Sequence, residues 1–301
     1  MSAPSAAEQR LKLRTELRKA RVSAGLTQRE VAKQMEWSPS KLLRIESGEV
    51  SISVNDLRPL LTTYGISDRR RIEGLLDLAR GSRKMPFAEY RDVFKPEFLQ
   101  FLALEASASA ARYFNSLQLP RLLQTEEYTR AIATAYGSGV TLTETEERML
   151  EAQLSRQDLL QSEACPDLYF ILDEAILHRQ IGGTGVMRAQ LQRLAELSKH
   201  PKVTIMVVPY TAGAHPGLQG PFTLFEFASD EMPDSLFLEN PRGDTVGSNK
   251  PEETRRYLEL FWQLEDLSIS GNMETLMHRL IQRIDNGDDD LAALLDTPPE
   301  E

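Results

Sequence analysis

The chain has 301 residues, 41% of them hydrophobic, which exceeds a usual single domain and is ample for a core. Its single cysteine, Cys165, excludes an internal disulfide and suits a reducing compartment. No apolar run approaches the roughly 20 residues that span a bilayer and the N-terminus carries no signal-peptide core, so no membrane partner is expected and the location expected is cytoplasmic. Charge divides unevenly: residues 1–95 hold 19 Lys and Arg against 12 Asp and Glu, a balance of +7, which leaves 16 against 33, or −17, for the rest. A basic N-terminal portion on an acidic body is the electrostatic footprint of a double-stranded DNA reader whose body does not bind DNA.

Residues 1–8 are rich in Ala and Ser and are expected to be disordered. A first helix is predicted over 11–24, with Leu13, Leu17 and Ala20 at helical spacing and Gly25 as its stop. Thr27 followed by Glu30 is a capping box that starts a second helix, in which Val31, Ala32 and Met35 share a face. Ser38 is a good N-cap for a third, with Pro39 suited to its first position, Leu42 and Ile45 on the buried side, and Gly48 as the stop. Trp37 in the connection reads as an apolar plug. Two short helices in this order form a helix-turn-helix, which leaves the first turns of its second helix projecting. A fourth helix is predicted over 53–64, kinked or starting late because of Pro59, and a fifth after the cap Asp68, with Ile72, Leu75, Leu76 and Ala79 inward. Arg69, Arg70 and Arg71 at its start read as a solvated face, with a phosphate clamp as the alternative.

The helical domain is assigned to 9–81 and a Gly-, Ser- and Pro-containing linker to 82–96. Helices are predicted over 97–116, 125–136 and 144–163, the second capped by Thr125 and the third by a Thr143/Glu146 box. From 168 the pattern changes to short, nearly continuous apolar runs, Leu168–Leu172 and Val203–Val208, as in strands buried on both faces. A helix over 187–197 between them makes a β-α-β unit. Phe222–Phe227 and Leu236–Glu239 read as further strands, followed by helices over 251–267 and 272–285. The fold class expected is therefore an all-α domain of about five helices plus an acidic α/β domain, 97–285, with a small, partly parallel sheet of about four strands and flanking helices. The remainder, 286–301, reads as an acidic disordered tail.

The helix-turn-helix segment resembles the Cro and phage-repressor (XRE) family through Thr27, Gln28, Val31, Ala32, Ser38, Leu42, Ile45, Glu46 and Gly48. Glu36 stands where that family most often has a left-handed Gly. The resemblance implies that Gln28 and Ser38 bond phosphates, that Pro39, Ser40 and Arg44 face base edges, and that Lys41 and Arg29 add phosphate attraction. Arg44 is the strongest reader in the set, since a guanidinium pairs bidentately with guanine. The resemblance also implies a homodimer on paired half-sites.

The body is similar to the C-terminal domain of WhiJ-like helix-turn-helix regulators of actinomycetes. The matching pieces are Leu119-Pro-Arg-Leu-Leu-Gln-Thr-Glu-Glu-Tyr128, Arg156-Gln157, Asp173-Glu-Ala-Ile-Leu177, Gly182-Gly183, Met187 with Gln190-Leu191, and Gly213-Ala-His-Pro-Gly-Leu-Gln-Gly-Pro-Phe222. Arg121 replaces the usual Gly of the first piece. The resemblance implies a transcriptional regulator whose body senses a small-molecule effector or binds a partner, or alternatively an antitoxin-like or scaffold protein that acts with a small acidic protein and regulates itself through DNA.

No catalytic, metal or cofactor motif is present. Gly182-Gly-Thr-Gly185 lacks a P-loop's Lys and Ser/Thr, and the four histidines have no metal-ligand spacing, so the protein reads as no enzyme. His215 lies in a Gly- and Pro-rich loop after a buried strand, where α/β folds place ligand contacts. Glu105, Gln124, Tyr128 and Arg156 are weaker ligand or partner candidates of the same kind. Asp173 and Glu174 read as charges complementing a helix dipole.

Overall fold

The computed structural model describes residues 6–47, 50–81, 87–137, 141–163, 165–228, 232–239 and 245–287. Gly48, residues 82–86 of the linker and the acidic tail from 288 onward lie outside the described residues. The chain divides into two units, each described by itself: the N-terminal helices with Leu99–Ser107 and Phe227–Pro233, and a second containing Tyr90–Phe98, Ala108–Glu226 and the chain from Asp234.

The first unit holds α1 (Ala6–Ser23), α2 (Gln28–Gln34), α3 (Pro39–Ser47), α4 (Val54–Thr63) and α5 (Arg69–Gly81). α1 starts at Ala6, inside the stretch expected to be disordered, and buries Leu13, Leu17 and Ala20. Gly25 ends it at φ 68, a left-handed conformation that costs glycine little. These residues pack with Val31, Leu42, Ile45, Leu57, Leu60, Leu61, Leu75 and Leu76 in one core, and Met35 and Trp37 press against it. α4 is capped at Ser53 and runs through Pro59, so the late start is not observed. Asp68 caps α5 as predicted, accepting the Arg71 N–H at 2.8 Å, and the Arg71 guanidinium is paired with Glu16 at 3.2 Å.

The linker region is followed by α6 (Pro96–Glu105) and then a strand, β1 (Ala110–Asn115). The single helix expected over 97–116 is thus corrected. Alanines at 108, 110 and 111 favour helix locally, but Ala110–Asn115 pairs with a strand on either side, and that pairing overrides propensity. α7 (Glu126–Tyr136) and α8 (Glu144–Ser155) follow, each started by its predicted threonine. Next come β2 (Asp167–Asp173), the short α9 (Ala175–His178), α10 (Thr184–Leu197), β3 (Val203–Val208), β4 (Phe222–Glu226), β5 (Ser235–Glu239) and β6 (Thr245–Ser248). α11 (Pro251–Leu267) and α12 (Met273–Asn286) close the described chain.

Among the described residues six strands form one sheet in the order β3-β2-β1-β4-β5-β6, where about four were expected. β1, β2 and β3 are mutually parallel, while β4, β5 and β6 continue antiparallel from β1. Alternate residues face opposite sides of the sheet. Phe114, Ile171, Met206, Val208 and Phe222 form one apolar face with Phe261 and Leu264 of α11. On the other face Tyr113 stacks on Phe170, with centroids 4.8 Å apart, and meets Phe225 edge-on. β3 and β4 flank β2 and β1, so the chain leaving β3 must cross the carboxyl ends of both to begin β4. Residues 209–221 therefore cap that edge.

Candidate nucleic-acid interface

The helix-turn-helix forms as its caps dictate. Thr27 Oγ1 accepts the Glu30 N–H at 3.2 Å, and the Glu30 carboxylate accepts the Thr27 N–H at 2.8 Å. Ser38 Oγ accepts the Lys41 N–H at 3.3 Å at the start of α3. The turn passes through Glu36 at φ 55, the left-handed position where a side chain is strained. One cluster fixes the angle between α2 and α3. Glu46 on α3 accepts two bonds from the Arg21 guanidinium, at 2.7 and 3.1 Å, and a third from Gln28 Nε2 at 2.7 Å. Arg21 also donates to the Leu26 carbonyl at 2.8 Å, so α1, the first turn and both helices meet on one carboxylate.

Arg29, Ser38, Ser40 and Arg44 are exposed, and Leu43 is 53% exposed on the same helix as Arg44. Pro39 opens α3, its side chain lying outside the described residues. Ser38 Oγ and Ser40 Oγ share a hydrogen bond of 3.1 Å. Gln28 is turned toward Glu46, which engages one of its two amide N–H groups. Lys41 has Nζ 3.2 Å from Asp56 Oδ2 and 4.1 Å from the centre of the Trp37 ring, so part of its field is offset within the unit. The cluster that positions α3, Arg21 with Glu46, was not legible as such. Glu46 counts only as a motif position until the fold brings Arg21 to it, 25 residues away.

The Thr27 box carries a pH signature. The Thr27 backbone N–H, and then its hydroxyl, hold the Glu30 carboxyl below the ordinary glutamate range. A depressed folded value means that the box contributes in full above the unfolded value, about 4.3, and is lost as pH falls through the lowered one. Side-chain carbonyl NMR of Glu30 is expected to titrate below 4.3; a midpoint at the ordinary value would remove the box.

The candidates in the body separate into different settings. Glu105 is buried at the end of α6, in the part of that helix belonging to the first unit. Gln124 is buried, with Nε2 donating to the Leu119 carbonyl at 2.7 Å and Oε1 accepting from Thr129 at 2.9 Å. The Tyr128 phenol accepts the Leu119 N–H at 3.3 Å, and burial pushes its pKa up to about 12. Gln157 donates to the Gln124 carbonyl at 2.6 Å, while Gln190 donates to that of Leu123 at 2.8 Å and accepts the Thr125 N–H at 2.7 Å. These residues lock the 119–125 loop onto α7 and α10. Arg156 is buried where α8 ends, close enough to Arg121 for the two charges to oppose one another. His215 instead places Nε2 3.2 Å from Asp173 Oδ2 at the end of β2.

Two family comparisons decide what these units are. Residues 12–73 match a helix-turn-helix domain, and residues 98–277, more than half of the chain, match the domain of unknown function DUF5753. The chain belongs to the DUF5753 family. No curated protein and no solved structure matches it. The helix-turn-helix match marks the N-terminal helices of this DUF5753 protein as a DNA-binding domain.

In this DUF5753 chain Asp173 and Glu174 do more than complement a dipole. Asp173 Oδ1 accepts the Ala175 N–H at 2.9 Å while Oδ2 meets His215; Glu174 joins His178 at 3.2 Å and accepts the Tyr210 N–H at 2.6 Å. A carboxylate at a strand end with a histidine in a later loop is the signal that could have paired them. Among the described residues no group of three or more His, Cys, Asp or Glu is arranged to hold a metal ion, and no helix is long and apolar enough to cross a membrane.

Proposed function

We propose that the protein is a sequence-specific transcriptional regulator, cytoplasmic and not enzymatic, which binds DNA as a homodimer and whose DUF5753 body shifts the population able to grip DNA when it binds a small-molecule effector. The observation that carries the reading is α3, held rigidly by Glu46 and presenting Ser38, Ser40, Leu43 and Arg44 to solvent. The +7 balance of residues 1–95 supplies attraction for phosphates. The resemblance of the body to WhiJ-like regulators supports a role in control rather than catalysis.

The test begins with selection of the preferred duplex from a random library by the full chain. Arg44→Ala is then expected to lower affinity for that duplex by about 1–3 kcal/mol and to relax preference at one base position. Unchanged affinity and preference would remove α3 as the recognition helix. Native mass measurement separates effector from partner: a stoichiometric small acidic protein retained on the body would replace the effector reading with the antitoxin-like one.

A further inference from the structure

We propose that the carboxyl edge of β1, β2 and β3, beneath the 209–221 cap, is a binding site for a small amphiphilic molecule that presents an O–H or N–H donor to His215 Nδ1. The inference rests on the reading of the body as effector-controlled, and it names the site and the ligand class.

Four observations converge on this edge. The His215 side chain is 5% exposed and its Nδ1 is buried without a hydrogen-bond partner. Gln118, three residues beyond β1, likewise buries Oε1 without a partner. Such orphaned acceptors carry a desolvation cost that a ligand donor would remove. Asp173 fixes the chemistry of the histidine. A carboxylate only accepts, so a proton lies on Nε2, and Nδ1 of the uncharged ring is then an acceptor. Apolar side chains stand exposed in the loops that leave β1 and β3: Leu117, Tyr210 and Leu218 are 70%, 59% and 64% exposed. Buried acceptors on an acidic body favour a neutral or cationic donor over an anion. The site occupies the carboxyl ends of parallel strands, where open α/β sheets place ligands. Nδ1 is closed to solvent, so entry displaces the cap, whose Gly213 and Gly220 stand at φ 63 and 127.

The test uses the full chain with 15N-labelled histidine and three probes on one ring: benzyl alcohol, benzylamine and benzoate. Benzyl alcohol and benzylamine are expected to move the His215 Nδ1 resonance, and benzoate is not. Asp173→Asn offers the ring an amide donor and so transfers the proton to Nδ1; selectivity is expected to turn toward benzoate. Tyr210→Ala, at an exposed position, is expected to weaken both donor probes about two- to tenfold while the tautomer stays unchanged. A His215 resonance that no probe moves, as a sealed water would give, or that benzoate alone moves, overturns the site. Affinity for the selected duplex is measured with the same probes. A His215 response without a change in DNA affinity keeps the site and removes the effector-controlled reading. A change in DNA affinity with a silent His215 does the reverse.

Discussion

Glu46→Ala is expected to lower the stability of the N-terminal unit by about 3–5 kcal/mol, the cost of breaking a buried ion pair from one side. The Arg21 side chain is 12% exposed and that of Glu46 4%, so the guanidinium left behind is neither hydrated nor paired. It keeps one bond, to the Leu26 carbonyl. Gln28 loses the acceptor of its Nε2 at the same time, and the angle between α2 and α3 loses its tie. Domains of this kind are stable by about 5–15 kcal/mol, so the loss takes a large part of the total. DNA binding falls with it. Glu46→Gln keeps the shape and one acceptor oxygen, and is expected to fall between the two. The measurement is local, because one of the two tryptophans, Trp37, packs in this unit and the other, Trp262, lies on α11. Fluorotryptophan NMR during urea unfolding is expected to show Trp37 moving to lower urea while Trp262 holds. An unmoved Trp37 transition would mean that Arg21 regains water on losing its partner.

The parts legible in the sequence are those decided by neighbours in the chain. Thr27 with Glu30, Ser38, Asp68, Thr125 and Thr143 start helices through bonds to residues three positions on, and the structure shows each bond. The runs at Leu168–Leu172 and Val203–Val208 are strands because they are apolar on both faces, which requires a sheet covered on both sides. β1 was illegible for the opposite reason: its partners, β2 and β4, lie 57 and 112 residues further on by first residue, and nothing local opposes a helix. Without β1, one parallel crossover, β1 through α7 and α8 to β2, is also lost from the reading. β6 is a four-residue edge strand containing Gly247, with Val246 exposed, so its apolar signal is slight.

The candidate residues divide in the same way. Ser40 and Arg44 project because helix periodicity determines which side of α3 is outward once Leu42 and Ile45 are inward, and Arg29 projects from α2 once Val31 and Ala32 are inward. Gln124 and Tyr128 stand in a matched motif, but the motif's content is internal: a turn whose carbonyls must be satisfied by Gln124, Gln157 and Gln190. A sequence shows that such residues belong together without showing whether they face a ligand or one another. His215 differs, because its Asp173 bond leaves the buried Nδ1 without a partner.

Phe114→Ala is expected to cost the second unit about 3–5 kcal/mol, the range for removing a fully buried aromatic ring. Phe114 lies at the end of β1, with its ring 5.8 Å from that of Phe222 and edge-on to His215 at 6.1 Å. Gly217 in the cap lies directly on it: a Cβ there would stand 2.2 Å from Phe114 Cζ. The backbone of the cap therefore approaches the sheet as closely as glycine permits, which holds His215 over Asp173. Gly217→Ala alone should push ring and cap apart at a cost of about 1–3 kcal/mol. The pair tests the contact by non-additivity, since the methyl occupies space that Phe114→Ala empties. The double variant is expected to be more stable than the sum of the single losses requires, with the Trp262 transition reporting all three. Strict additivity would mean that Gly217 is required by its own backbone, with the ring beside it as a bystander; a restored transition would tie the closure of the cap to the residue on which it rests.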